Sequence, residues 1–470
     1  MPKIVRDIGG LEYYAWTFSV YMLMQTATVP VWGRLSDIYG RRRFLAAGIV
    51  IFCAGSAWCG AVESMPEMIS ARAVQGVGAG AVLTVSFALL SSLFPPERRG
   101  MMMGLVSMVW GLASIVGPLI GGTLAKAGHW RWCFYINLPS GILALALLFA
   151  SRAGREGAGA KQAPDFPGAA LLVLASLGFF AGIFLTEKGS APAAAAFGAT
   201  ALLVALLVWR ERVAADPFVK YRLYRIPLFA HSAFAGFFAS IGMFTAIVFG
   251  PLFVQGVLGE SAMMGGLALT PFALCWTTSA AISGALINRA GYRLLATAGA
   301  LLMTGAYVGM SMLTASSSWG AIAALMAVIG AGLGLSMTSG IMAAQNAVEK
   351  ADLGASTSLV QFTRNVGAMT GITVLGALLV ATLMRGGVSA DESRRLLDSL
   401  ARQEIPAARL KELSGQLLLG LHRVFQIGIG VCAVALLISA TMPSGKPADR
   451  EKEGDRERGK EGERAEEKPA

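Results

Sequence analysis

Apolar residues in this chain fall into blocks of about 20, separated by short polar connectors. That is the length a helix needs to cross a hydrocarbon layer about 30 Å thick. The pattern predicts about 13 spanning helices. Five come first, near 14–35, 44–62, 68–93, 101–125 and 133–150. A polar, glycine-rich break (151–168) follows, then two spans near 168–186 and 192–209, then the basic connector RERVAADPFVKYRLYR (210–225). Six more lie near 227–250, 263–287, 294–314, 319–345, 356–384 and 419–442, with a long polar loop at 385–418. The charge-dense tail is almost free of aliphatics, a composition that predicts disorder. The chain therefore divides into a five-span N-terminal lobe (1–150), an inter-lobe segment carrying two extra spans (151–225), a six-span C-terminal lobe (226–442) and a tail (443–470).

Composition narrows the class. Of 470 residues, 55% are hydrophobic and 14% charged, with a mean hydropathy of +0.61. Soluble domains carry roughly 25% charged residues, so a soluble protein is excluded and an all-α polytopic membrane protein is expected. The 57 glycines suit helices that pack closely where lipid supplies no hydrophobic drive between them. The net charge of +11 need not imply nucleic acid, and none is expected as a partner. With the connector GRLSDIYGRRR placed inside, lysine and arginine concentrate on alternate short connectors, as inward positive charge requires. That orientation puts the C-terminus in the cytoplasm and residue 1 outside. Cys53, Cys59, Cys133, Cys275 and Cys432 show no metal-ligand spacing, and no metal or cofactor is called for. His129, His231 and His422 are scattered, which argues against a membrane-embedded enzyme.

The strongest local pattern is Gly33-Arg-Leu-Ser-Asp37-Ile-Tyr-Gly40-Arg41-Arg42-Arg43. Gly33 allows close helix approach, and Asp37 suits the positive end of a neighbouring helix. The three arginines can pair with carboxylates across the lobe boundary, making a cytoplasmic gating latch. Arg72 lies one to two turns inside a span. A charge at mid-membrane costs about 2.5–3.5 kcal/mol on insertion scales and normally has a partner or a wet cavity. No acid is read deep in any span: Glu63, Glu67, Glu187 and Glu260 sit at span ends or outer loops, and Glu349 and Asp352 at an inner connector. Gly117-Pro118 kinks its span, and Gly121 and Gly122 follow as a hinge and lobe-interface pattern. Arg364 divides between helix packing and cavity lining.

These motifs resemble the major facilitator superfamily, and within it the fourteen-span drug:proton antiporter family of EmrB/QacA type. GRLSDIYGRRR is similar to the superfamily loop signature. ARAVQGVGAG (71–80), with Arg72, Gly76 and Gly80, resembles the fourth-span motif. GLASIVGPLIGG (111–122) resembles the antiporter motif of the fifth span, and WRWCFYINLP (130–139) the start of the sixth. GALINRAGYR (284–293) reads as a degenerate second latch without its acid, and STSLVQFTRNVGAMTG (356–371) is also similar. The resemblance implies a major facilitator fold of two helical lobes and proton-coupled efflux of small amphipathic or drug-like compounds by alternating access. It places the protein in the inner (cytoplasmic) membrane and implies Arg72 in proton coupling. Five plus six spans is one helix short of paired six-span halves, and MPKIVRDIGG resembles the end of the family's first span through Pro2, Ile4, Asp7 and Gly9. The expectation is that the first span, with the acid Arg72 would face, is absent through a start site placed too late.

A mid-membrane substrate pocket is expected from Trp16, Tyr21, Gln25, Phe244, Gln255, Trp276, Gln361, Arg364 and Asn365, whose rings suit lipophilic cations. Expected partners are the bilayer, protons, a small-molecule substrate and a periplasmic adaptor protein. The same scaffold leaves open a specific metabolite, siderophore or lipid exporter, and a transport-inactive truncated remnant.

Overall fold

In the computed structural model the described residues are 7–8, 14–94, 129–151, 165–185, 190–213, 220–349, 352–389 and 405–444, with Glu392 and scattered positions between 98 and 127. The tail, Pro118, Gly122 and part of the 101–125 stretch lie outside them.

The apolar blocks are helices. They are α1 (Tyr14–Tyr39), α2 (Arg41–Ala61), α3 (Met65–Leu93) and α4 (Trp132–Ala150), followed by the insert pair α5 (Phe166–Leu185) and α6 (Ser190–Val213). After a 3-10 turn at Tyr221–Arg225 come α7 (Pro227–Gly256), the short α8 (Ala262–Leu267), α9 (Leu269–Ser311), α10 (Trp319–Asn346), α11 (Leu353–Arg385) and α12 (Ala407–Ala440). Among the described residues nine helical stretches are long and apolar enough to cross a membrane. Lipid is the expected neighbour of α4, whose Ile142 and Leu147 are 67% and 62% exposed.

One boundary differs from the hydropathy reading, and another is made without a loop. Helix α12 begins at Ala407, twelve residues before the apolar block, because Leu413 and Leu417 bury one face while Lys411 and Glu412 stay exposed. The two spans predicted at 263–287 and 294–314 run into one another through Gly291, whose φ of 77° and ψ of 167° turn the chain without a connecting loop. That backbone region is open to glycine alone and costs other residues about 1–3 kcal/mol. Gly291 and Tyr292 are buried, and Asn346 donates to the Tyr292 hydroxyl at 2.5 Å. Gly291→Ala should therefore lower stability by about 1–3 kcal/mol, visible as a reduced thermal midpoint in detergent. An unchanged midpoint would remove the strain assigned to this turn.

The helices form two compact units. The first holds α1 to α6 and the start of α11 through Phe362; the second holds α7 to α10, α11 from Thr363, and α12. In the first unit Leu45, Ile49, Val85, Leu89 and Leu148 join α2, α3 and α4. A second cluster sets Cys59, Met65, Met68 and Ala71 against Trp130 and Phe134. The insert is fastened at its base by Arg210, which donates from Nε and Nη2 to Asp165 Oδ1 at 3.0 and 2.9 Å. In the second unit Phe249, Phe253, Phe272, Tyr307 and Phe425 centre a large apolar core.

Candidate functional site

Chemistry in the first unit gathers at two places, one inside the helix bundle and one at a helix end. Inside, Gly76 and Gly80 bring α3 against the backbone of α1. A Cβ on Gly76 would strike the Tyr21 carbonyl, and one on Gly80 would lie 2.7 Å from Thr28 Oγ1. Arg72 stands one helical turn before Gly76, so this approach carries Tyr21 over its side chain. The guanidinium lies 4.1 Å from the Tyr21 ring centroid. Its Nε donates to the Thr17 carbonyl at 3.1 Å and its Nη1 to Gln75 Oε1 at 2.5 Å.

Gln75 passes the network on. Its Nε2 donates to Ser56 Oγ at 2.6 Å, and Asn137 Nδ2 donates to the same oxygen at 3.2 Å. Four helices thus each supply a polar group around one half-buried charge. Stacking on an aromatic face is worth about 2 kcal/mol when desolvated. Among the described residues no carboxylate pairs with Arg72; neutral acceptors and a ring hold it.

At the helix end, Gly40 separates α1 from α2 alone, with a φ of 101°. Asp37, in the last turn of α1, accepts from Gly354 N at 3.0 Å through Oδ1 and from Ala355 N at 2.8 Å through Oδ2. Those amides open α11, where orphan N–H groups and the macrodipole favour an anion. Arg41 Nη2 donates to Asp37 Oδ1 at 2.9 Å. The approach is tight: a Cβ on Gly354 would lie 2.6 Å from both Gly33 O and Asp37 Oδ1. Sequence reading expected the arginines to find carboxylates beyond their own segment. Arg41 pairs with Asp37, Arg42 donates to the Phe149 carbonyl at 2.9 Å at the end of α4, and Arg43 is exposed. The last carbonyls of α4 have no helical partner and so attract a cation.

The remaining predicted residues divide between the units. Half-buried Tyr21, Gln25 and Gln361 belong to the first; half-buried Phe244, Gln255, Trp276 and Asn365, with buried Arg364, belong to the second. The Trp16 side chain lies outside the described residues. Arg364 Nη2 donates to the Met337 carbonyl at 2.8 Å, and its Nε packs where a Cβ on Gly236 would be 2.9 Å away. A Cβ on Gly117 or Gly121 meets no described atom within 4 Å.

Two contributors escaped the sequence reading. Gln75 was legible, since it lies three residues after Arg72 and shares its helix face. Asp352 was set aside as a connector acid, yet it is buried, accepting from Lys220 Nζ and, at 2.8 Å, from Arg222 Nη2. Only the folded chain brings positions 220 and 352 together.

Comparison with known proteins adds to this geometry. The profile described as Major Facilitator Superfamily matches residues 1–372. Multidrug transporter protein MdtP of Bacillus subtilis is 34% identical over 416 residues, covering 87% of this chain and 76% of that protein. Multidrug resistance protein 3 of the same organism is 33% identical over 383 residues, covering 80% and 74%. Among solved structures, the proton:xylose symporter XylE aligns with a TM-score of 0.58 at 14% identity, over 92% of this chain and 86% of that one. The human organic anion transporter MFSD10 (TETRAN) aligns at 0.57 and 16%, over 87% and 83%. At such identities the structural likeness speaks to the fold.

Proposed function

This chain belongs to the Major Facilitator Superfamily, a family of transporters and not of enzymes, and from that membership we propose that it expels small amphipathic or drug-like compounds in exchange for protons. It does so across the cytoplasmic membrane by alternating access, as a member of the fourteen-span antiporter branch. The observation that carries the reading is the similarity, along most of the chain, to two proteins named for multidrug transport and resistance. The half-buried Arg72 cluster supports it. A cation held, among the described residues, by neutral groups raises the potential around it, and that field lowers the proton affinity of any nearby titrating group. The ring of Tyr21 and the amides of Gln25 and Gln361 offer adaptable contacts for flat, lipophilic cations.

The test is flux in proteoliposomes under an imposed pH gradient, with ethidium as the lipophilic probe. Gradient-driven accumulation that collapses with an uncoupler supports the reading; gradient-independent leakage or none overturns it. Arg72→Ala should lower coupled flux at least about tenfold, equivalent to about 1.4 kcal/mol of barrier, with the protein still inserted. Flux equal to the parent would remove Arg72 from coupling. Export of one metabolite, siderophore or lipid on the same scaffold is the second reading. It predicts transport of one member of a chemically mixed panel rather than of many.

A further inference from the structure

Helix α11 is shared between the two units, its first turns grouping with α1 to α6 and its body with α7 to α10 and α12. What fastens those first turns is therefore of interest. Asp37 holds the amides of Gly354 and Ala355 from one side. From another comes the connector between α6 and α7: Lys220 Nζ donates to Asp352 Oδ1, and Arg222 Nη2 to Oδ2 at 2.8 Å. The Lys220 and Asp352 side chains are 9% and 10% exposed, whereas Arg222 is 66% exposed.

We propose that Lys220, Arg222 and Asp352 form a second clamp, by which the connector between α6 and α7 holds the start of α11 in the first unit, and whose release frees that start during transport. Three features carry this. The pair is buried, and removing one partner of a buried pair leaves an uncompensated charge, so the contact depends on both. Asp352 directly precedes α11, so it moves with the amides that Asp37 binds. Lys220 and Arg222 lie within six residues of Ile226, where the chain enters the second unit, so a pull on that junction reaches the clamp first. The purpose assigned to the clamp rests on the alternating-access reading; its existence does not.

The test reads the start of α11 directly. Ser358 is 1% exposed, packed against Gly33. In a Ser358→Cys background, labelling of position 358 by a membrane-impermeant maleimide is followed in inside-out vesicles, with the modified peptide quantified by mass spectrometry. Lys220→Gln and Asp352→Asn should each label at least tenfold faster than the parent. Arg222→Gln, which keeps the buried pair, should fall between, and Asp352→Glu should stay near the parental rate. If Asp352→Asn fails to fold, Lys220→Gln and Arg222→Gln decide the matter from the connector side. Labelling within twofold of the parent in Lys220→Gln, or equal rates for Asp352→Glu and Asp352→Asn, overturns the clamp. Because labelling needs no substrate, failure of ethidium flux with these rates intact rejects the efflux reading alone.

Discussion

Asp37→Asn is expected to lower transport turnover by about tenfold to a hundredfold while leaving membrane insertion and substrate affinity close to the parent. The carboxylate accepts two backbone N–H groups at the start of α11 and one bond from Arg41, and its side chain is 1% exposed. Bonds to a charged partner are worth about 1.5–3 kcal/mol each, roughly twice neutral ones. Asparagine keeps the shape but loses the charge, and its amide group faces either a guanidinium or a backbone N–H as donor against donor. Losing the equivalent of one such bond, at about 1.4 kcal/mol per tenfold, gives the stated range. The measurement is initial-rate flux at saturating ethidium beside equilibrium dye binding. Turnover equal to the parent would show that this contact does not gate transport.

The second large effect concerns the packing of α9 on α10. A Cβ on Gly299 would strike the Gly332 carbonyl and lie 2.7 Å from Ser336 N; one on Gly332 would strike the Gly299 carbonyl and lie 2.8 Å from Met303 Cγ. The two backbones approach at glycine on both sides, so neither side chain nor rotamer can yield. Overpacking a core usually costs about 1–3 kcal/mol, and obstruction by backbone belongs at or above the upper end. Gly299→Leu should accordingly lose about 3 kcal/mol or more, seen as a sharp fall in detergent thermal midpoint. The second unit would loosen, while the first, sharing no atom with this contact, would keep its protection from proteolysis. A midpoint within two degrees of the parent would mean that the helices stand farther apart.

Much of this architecture was legible in the sequence because lipid simplifies the reading. Arg41–Ala61, Met65–Leu93 and Trp319–Asn346 coincide closely with apolar blocks, since a spanning helix must be apolar along its whole length. Hydropathy failed where geometry rests on one face. The break at Gly291 was marked by its polar neighbours Asn288, Arg289 and Arg293, whereas the first turns of α12 were missed because they are amphipathic rather than apolar. At the site, the GRLSDIYGRRR spacing pointed correctly to a helix N-terminus as the partner of Asp37. It could not say which helix, because 317 residues separate Asp37 from Gly354. Arg72 was found through the cost of a charge in the membrane. The Asp352 cluster was invisible, since a connector acid and a connector lysine look ordinary until the fold buries them together.

The polar chain around Arg72 also bears on the order in which this protein is made. Arg72 and Gln75 emerge on α3, after α1 and α2 have supplied the Thr17 carbonyl, the Tyr21 ring and Ser56. Asn137 arrives only with α4, some sixty residues later. Without α1 and α2 beside it, α3 cannot rest in lipid with its polar groups satisfied. The first helices are therefore best kept together at the site of insertion and released as a group.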